Sequence, residues 1–209
     1  MPSISVTIEG LDDVLRRLDK GRTVRSGDLL KIAGGAVFTG TRLRFRDGRD
    51  PSGTSWPAPR RLISGAGEKS PLIQSGRLRN SITWTSNEFV ARVGTNVRYA
   101  AIHQFGGTVL AKGGKALAIP LDREAALYKP RDFPRKLELV WPKGRRSGWL
   151  VEHKAGRGKR ETGAKDIFKY LLVRQVTIKK RPFLGVSQAD RDEIRHRLIE
   201  FLDSQTGGK

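Results

Sequence analysis

The residues of this chain whose type and spacing bear on chemistry are few. They are three histidines, a glycine–lysine stretch, a pair of loop carboxylates and two tryptophans set among arginines and lysines. His103, His153 and His196 fall in three separate stretches with no second ligand at metal spacing, and neither HExxH nor GxSxG occurs. Residues 65–70, GAGEKS, resemble the tail of a phosphate loop, but that loop needs glycine directly before the lysine. Glu68 stands there, and a carboxylate repels phosphate. Asp47 and Asp50 have the look of a calcium loop, except that Arg49 breaks the alternation of acidic ligands. With no cysteine, thiol and disulfide chemistry are excluded. The expectation is a protein that is no enzyme and that holds no cofactor and no metal. Trp141 and Trp149, interleaved with Lys143, Arg145 and Arg146, remain as a candidate surface for stacking bases and neutralising phosphates. The same tryptophans are equally the apolar side of a hairpin.

Charge sharpens that second reading. The 209 residues carry a net charge of +20, and two stretches hold most of it. Residues 42–79 contain nine Lys/Arg against three Asp/Glu, and residues 129–181 contain seventeen against five. Charge so concentrated fits a nucleic-acid binder, a binder of acidic partners, or solvated basic loops. No run of 18 apolar residues occurs, and MPSISVTIEG has neither a basic nor an apolar leader pattern, so neither secretion nor a membrane span is expected.

The elements that position these residues read as follows. Ile4, Val6 and Ile8 alternate as in a strand. Leu11, Val14, Leu15 and Leu18 make a helical stripe closed by Gly21. A second, longer helix is expected from Ser26 or Asp28 to about Phe45. Gly34 and Gly35 in its middle imply either close approach by another backbone or a break. Residues 46–70 form a long polar loop in which Trp56 is expected to pin the chain to the core. Residues 72–81 read as a helical turn or an extended arm with Arg77 and Arg79 on one side. Residues 81–85 and 89–93 form a hairpin about Asn87 and Glu88. Residues 93–107 are the expected hub: a short buried helix with Tyr99, Ile102 and Phe105 on one face, ended by Gly106 and Gly107. A second hairpin is expected between 108–110 and 116–119. Residues 129–165 read as a basic, β-rich excursion, and 167–173 and 176–178 bring the chain back. A last amphipathic helix runs over 187–204, with Ser187 and Asp190 as a capping box and Ile194, Leu198, Phe201 and Leu202 buried.

Together these predict an α+β fold: a small antiparallel sheet packed against a long N-terminal helix and a C-terminal amphipathic helix. A single domain is expected, with its core in 1–128 and 166–203, the excursion at 129–165 and a disordered tail at 204–209.

Four separated pieces, in order, carry a family resemblance. They are DPSGTSW at 50–56, LIQSGRLRNSI at 72–82, VGTNVRYAAIHQFGG at 93–107 and RPFLGVS at 181–187. AIPLDREA at 118–125 and RDFP at 131–134 extend it, so that it covers about residues 30–203 with 143–165 unanchored. The pattern resembles the phage virion morphogenesis family, the tail completion proteins of Mu-like phages and prophages. The resemblance implies a structural α+β subunit in the tail or neck of the virion, present in host cytoplasm during assembly. Its implied partners are its own copies, the tail tube and the head connector. Passage of DNA calls for a closed ring with head-to-tail interfaces. The family motif residues Asp50, Gly53, Trp56, Gly76, Leu78, Tyr99, Ile102, His103, Phe105, Gly106, Arg181, Pro182 and Phe183 are then expected to define the fold. Arg145, Arg146, Arg157, Lys159 and Arg160 are expected to make contacts through charge, which suits acidic docking surfaces and packaged DNA equally.

Overall fold

The computed structural model describes residues 4–8, 25–58, 71–113, 115–153 and 166–206. The chain divides into two compact units, one built from Met1–Pro57, Ser70–Gly106 and Lys179–Lys209, the other from Ala58–Lys69 and Gly107–Ile178. The stretch expected to project, 129–165, contributes its described residues to the second unit. The helix expected at 11–18 and the GAGEKS stretch lie outside the described residues.

The first unit is a three-stranded antiparallel sheet under a long helix. Strand β1 (Ile4–Ile8) and strand β2 (Thr83–Ser86) flank strand β3 (Ala91–Thr95), with Val6 opposite Val93 and Trp84 opposite the same Val93. The β2–β3 turn forms where the sequence places it: the Asn87 side chain accepts hydrogen bonds from the backbone N–H of Phe89 (2.9 Å) and Val90 (2.8 Å). At Gly94 the two backbones come so close that a Cβ would lie 2.3 Å from the Ile4 carbonyl oxygen.

Helix α1 (Ser26–Asp47) begins with Asp28 in its first turn and ends with Arg44 and Arg46 in its last, matching the macrodipole. Gly48, at φ 65°, caps it by donating to the Arg44 carbonyl at 2.8 Å. It runs unbroken through Gly34 and Gly35. The close approach at Gly34 is made by side chains rather than by the expected backbone: a Cβ there would sit 2.8 Å from the Trp84 ring and 3.1 Å from the Ala91 methyl. Glycine therefore lets the helix lie flat on the β2–β3 hairpin.

Helix α2 (Arg77–Asn80) is a single turn after Gly76, which adopts φ 71°. Arg77 and Arg79 thus sit on a helical turn, not an extended arm, and Leu78 is buried. Helix α3 (Ala100–Phe105) is the expected hub, but a different face of it is buried. Ala100 is fully buried, whereas Tyr99 is 40% and Phe105 69% exposed. A six-residue helix gives three-residue spacing no power to fix which side faces inward.

Helix α4 (Gln188–Thr206) packs on α1 and extends two residues beyond Ser204, so residues 204–206 are helical rather than tail. Its capping box is present. Ser187 N–H donates to Asp190 Oδ2 (2.7 Å), and Asp190 N–H donates to Ser187 Oγ (3.1 Å). The stripe Ile194, Leu198, Phe201, Leu202 is half-buried, not buried.

The second unit holds two sheets. Strand β4 (Gly107–Leu110) pairs with strand β9 (Gln175–Ile178). The four-stranded antiparallel sheet has strand β5 (Leu117–Pro120) beside strand β8 (Asp166–Val173), then strand β7 (Ser147–His153), then strand β6 (Glu138–Val140) at the edge. The hairpin expected between 108–110 and 116–119 does not form. Its two strands pair instead with β9 and β8, a non-local choice that local alternation cannot reveal. Among the described residues no helix is long and apolar enough to cross a membrane.

Candidate functional site

The four motif pieces, far apart in sequence, meet in the core of the first unit. Trp56 from the first, Leu72, Leu78 and Ile82 from the second, Val93, Val97 and Ala100 from the third, and Phe183 and Leu184 from the fourth form one buried cluster with Val37 and Phe45 of α1. Phe45 is its centre, edge-on to Trp56 at 5.6 Å and tilted against Phe183 at 5.3 Å.

Polar contacts lock the pieces together. Trp56 Nε1 donates to the Pro182 carbonyl at 2.9 Å. Arg181, buried, donates its backbone N–H to the His103 carbonyl (2.7 Å) and its Nε to the Pro57 carbonyl (2.8 Å). Gln104 does the most: its Oε1 accepts from the N–H groups of Phe183 and Leu184 at 3.0 Å each, and its Nε2 donates to the Leu184 carbonyl at 2.9 Å. Sequence reading named the neighbours of Gln104 but not Gln104 itself. Replacing it with leucine removes all three bonds and leaves part-buried backbone groups unmet, with an expected cost of about 1–3 kcal/mol by urea denaturation. Gln104→Glu should be intermediate, since a carboxylate keeps the two acceptor contacts but faces the Leu184 oxygen.

Asp50 serves its own loop. Its Oδ1 accepts from Ser52 N–H (2.9 Å), Ser52 Oγ (2.6 Å) and Thr54 N–H (2.9 Å), and Gly53 takes φ 89° to close the turn. Burial pushes the Asp50 carboxyl up, but these hydrogen bonds outweigh it and hold the pKa below the ordinary value. Gly185 brings the RPFLG segment against this loop, where a Cβ would meet Pro51 at 2.7 Å.

Beneath the loop, Arg44 of α1 donates to Thr41 Oγ1 (3.1 Å) and the Phe183 carbonyl (3.1 Å), and ion-pairs with Asp190 of α4. Both side chains are buried. Burial pulls the guanidinium's pKa down while the charges of Asp190 and Asp50 push it back up. An open groove of about 540 Å³ runs over this pair between α1, the Asp50 loop and the start of α4, with Leu43, Arg49, Pro51 and Glu193 along it.

The second unit has its own charged centre. Lys169 Nζ lies 2.8 Å from Asp122 Oδ2, 2.8 Å from Glu124 Oε2 and 3.6 Å from Glu152 Oε2. Arg135 bridges Glu124 and Glu152 from outside, at 2.6 Å to Glu152 Oε1. Phe133 packs over both Lys169 (5.6 Å) and the Tyr170 ring (6.0 Å). Tyr170 Oη donates towards the carbonyls of Ala125 (2.9 Å) and Tyr128 (3.0 Å). Sequence reading passed over this cluster because Lys169 is one cation among many in a basic stretch.

Of the five contact residues, Arg145 and Arg146 lie in the exposed turn after Trp141, whose Nε1 donates to the Arg145 carbonyl at 3.1 Å. Arg157, Lys159 and Arg160 lie outside the described residues. His103 stacks edge-on with Tyr99 at 5.8 Å, and His196 pairs with Glu200 one turn along α4. Among the described residues no group of three His, Cys, Asp or Glu is placed to hold a metal.

These contacts join four segments distant in sequence into one core. The sequence profile of the phage virion morphogenesis family matches residues 6–125, and the chain belongs to that family. Over 71 residues it is 44% identical to the Mu-like prophage FluMu G protein 2 of Haemophilus influenzae, a stretch covering 34% of this chain and 49% of that protein. The match thus spans about half the length of that relative. No solved structure matches. RPFLGVS and most of the basic second unit lie beyond the family match, yet RPFLGVS packs directly on residues within it. Membership places the chain among proteins of phage virion morphogenesis.

Proposed function

We propose that this protein is a tail completion, or head-tail joining, subunit that assembles at the end of the tail tube and makes the tail competent to join the head. The observation that carries the reading is the family match over residues 6–125, within which three of the four motif segments fall and meet in the core of the first unit. Its chemistry is that of a scaffold: buried aromatic packing and hydrogen bonds hold shape, and charge is left for docking. The partners are further copies in a ring, the tail tube and the head connector, and the residence is the tail or neck.

The test is deletion of this gene from a phage or inducible prophage that carries it. Lysates are expected to hold DNA-filled heads and unattached tails, and supply of the protein in trans should restore joined particles. Joined, infectious particles without the protein would overturn the reading. In the same assay, replacing Arg145, Arg146, Arg157, Lys159 and Arg160 by serine should leave the circular dichroism spectrum unchanged and lower the yield of joined particles. An unchanged yield would remove those five from the contact set.

A further inference from the structure

We propose that one end of the four-stranded sheet binds the phosphate backbone of duplex DNA without reading its sequence, an interaction that stands whether or not the chain joins heads to tails. Strand register decides which residues gather there. Leu117 and Ser147 both lie opposite Val173, so the start of β5, the end of β8 and the β6–β7 turn share that end. The Ala111 N–H donates to the Arg174 carbonyl (2.8 Å) and the Lys115 N–H to that of Lys112 (3.3 Å), which folds the β4–β5 connection beside Arg174. Lys115, Arg174 and Trp141 line one groove of about 530 Å³, and Trp141 is tied to the Arg145 carbonyl in the turn that also carries Lys143 and Arg146. Six cations from three stretches of sequence thus come to one place.

Their charge is unmatched. All six are exposed, and none has a carboxylate partner among the described residues. Residues 111–117, 141–147 and 173–175 contain no Asp or Glu. Towards the other end of β8 the opposite holds: Lys169 has Asp122, Glu124 and Glu152 around it, and Arg135 bridges two of these. The bare cations are therefore not a mere result of basic composition. Ala118, Leu139, Leu150 and Leu172 wall the groove, and charge of one sign above a low-dielectric wall concentrates the potential. Gly113 and Gly144, at φ 60° and 77°, turn two of the cationic loops, and a Cβ on either would meet nothing within 4 Å. Both tips are open to approach.

A carboxylate-free surface suits a polymer of uniform negative charge. A surface that must select one acidic protein gains from repelling the wrong ones, which takes both signs. Trp141 acts here as a seat for a cation. Its ring lies against Gly148, where a Cβ would be 2.5 Å from Cε3, and the Arg174 guanidinium stands over it at 5.8 Å. That leaves bases little of the ring to stack on, so the contact is with phosphates rather than with the bases that the tryptophans suggest in sequence. The planar Arg174 fork, held in this way, is pre-organised for a phosphate.

Fluorescence anisotropy with a labelled 30-base-pair duplex of mixed sequence tests this on nuclease-treated, full-length protein across a salt series. One variant replaces Lys112, Lys115, Arg145 and Arg146 by serine. A control replaces Arg25, Lys31, Arg92 and Arg98, four exposed cations of the first unit, and so removes the same charge. Circular dichroism checks folding in both. The first variant is expected to bind at least about tenfold more weakly, and its slope of log affinity against log salt should be shallower by about 3–4. Arg174→Gln alone should reduce the slope by about 1. The control should stay within about threefold of wild type. Equal losses in the two four-residue variants would overturn the proposal, since net charge alone would then explain binding. Poly-glutamate bound as tightly as the duplex, with the same loss in the first variant, would overturn it in favour of an acidic protein partner. Neither result depends on the head-tail joining assay, so failure of this site and failure of the joining role can be told apart.

Discussion

Asp190→Ala is expected to destabilise the first unit by about 3–5 kcal/mol, the range for removing one partner of a buried ion pair. The cost arises because the variant leaves the Arg44 guanidinium buried with hydrogen bonds to Thr41 and the Phe183 carbonyl but no counter-charge. Desolvation of that cation, already strong enough to pull its pKa down, would then be opposed only by the more distant Asp50. The same carboxylate also accepts from Ser187 N–H, so a second contribution comes from the α4 cap. Ser187→Ala separates the two: it deletes the hydroxyl half of the capping box and should cost only about 1 kcal/mol. Asp190→Asn keeps an acceptor for Ser187 but removes the charge, and should fall between. The fit is tight from the other side too, since a Cβ at Gly40 would overlap the Asp190 carboxylate. Urea denaturation followed by tryptophan fluorescence measures all three variants. A loss below about 1 kcal/mol for Asp190→Ala would mean that water reaches Arg44 and that the pair does not hold α4 to α1.

How far the sequence foretold this depends on the range of the interaction. Alternation in β1, the β2–β3 turn at Asn87 and the Ser187–Asp190 capping box are set by neighbours a few residues apart, and all formed as expected. The hub failed in a specific way. Tyr99 and Phe105 are large and evenly spaced, which reads as a core face, yet the unit is held there by Ala100 and by Gln104, a polar residue whose three bonds all reach a segment some 80 residues later. Nothing local marks such a residue. Strand pairing missed for the same reason, because β4 and β5 choose β9 and β8 over each other. The charge was misread in part as well. The net of +20 points to the surface, but Arg44, Arg181 and Lys169 are each nearly buried and tie the two units internally, each within its own unit. The motifs that carried the family resemblance were nonetheless the right ones to watch, since four of them converge on Phe45 and its neighbours.

Lys169 shows why a cation in a basic stretch can be structural, and Lys169→Met is expected to destabilise the second unit by about 2–4 kcal/mol. Asp122 and Glu124 are each more than a third exposed, so solvent screens their pull on the lysine, whereas Glu152 is buried. The strand itself presents the lysine. Pairing steps from Leu150–Tyr170 to Val151–Phe168, leaving Lys169 as the extra residue of a bulge and bringing it, like Tyr170, against Phe133. The pH response follows from the directions of the shifts. Burial pushes the Asp122 carboxyl up, but the Ala125 N–H and Lys169 outweigh it; hydrogen bonds from Lys169 and Arg135 pull Glu124 down. Stability from these depressed carboxyls is present above the unfolded value near about 4 and is lost as pH falls through their lower folded values. Burial pulls Lys169 down, yet its bonds to Asp122 and Glu124 raise it overall. Its share is present below about 10.4 and is lost as pH rises through its higher folded value. Burial also raises Tyr170, which adds to the alkaline loss. Wild type should therefore show a stability plateau across neutral pH with an acid and an alkaline limb. In Lys169→Met the carboxylates face each other with only Arg135 between them, so protonation relieves repulsion and the acid limb should flatten. Hydrogen exchange read over β7 and β8 assigns the change to the second unit, and an acid limb as steep as wild type in the variant would show that other carboxylates govern it.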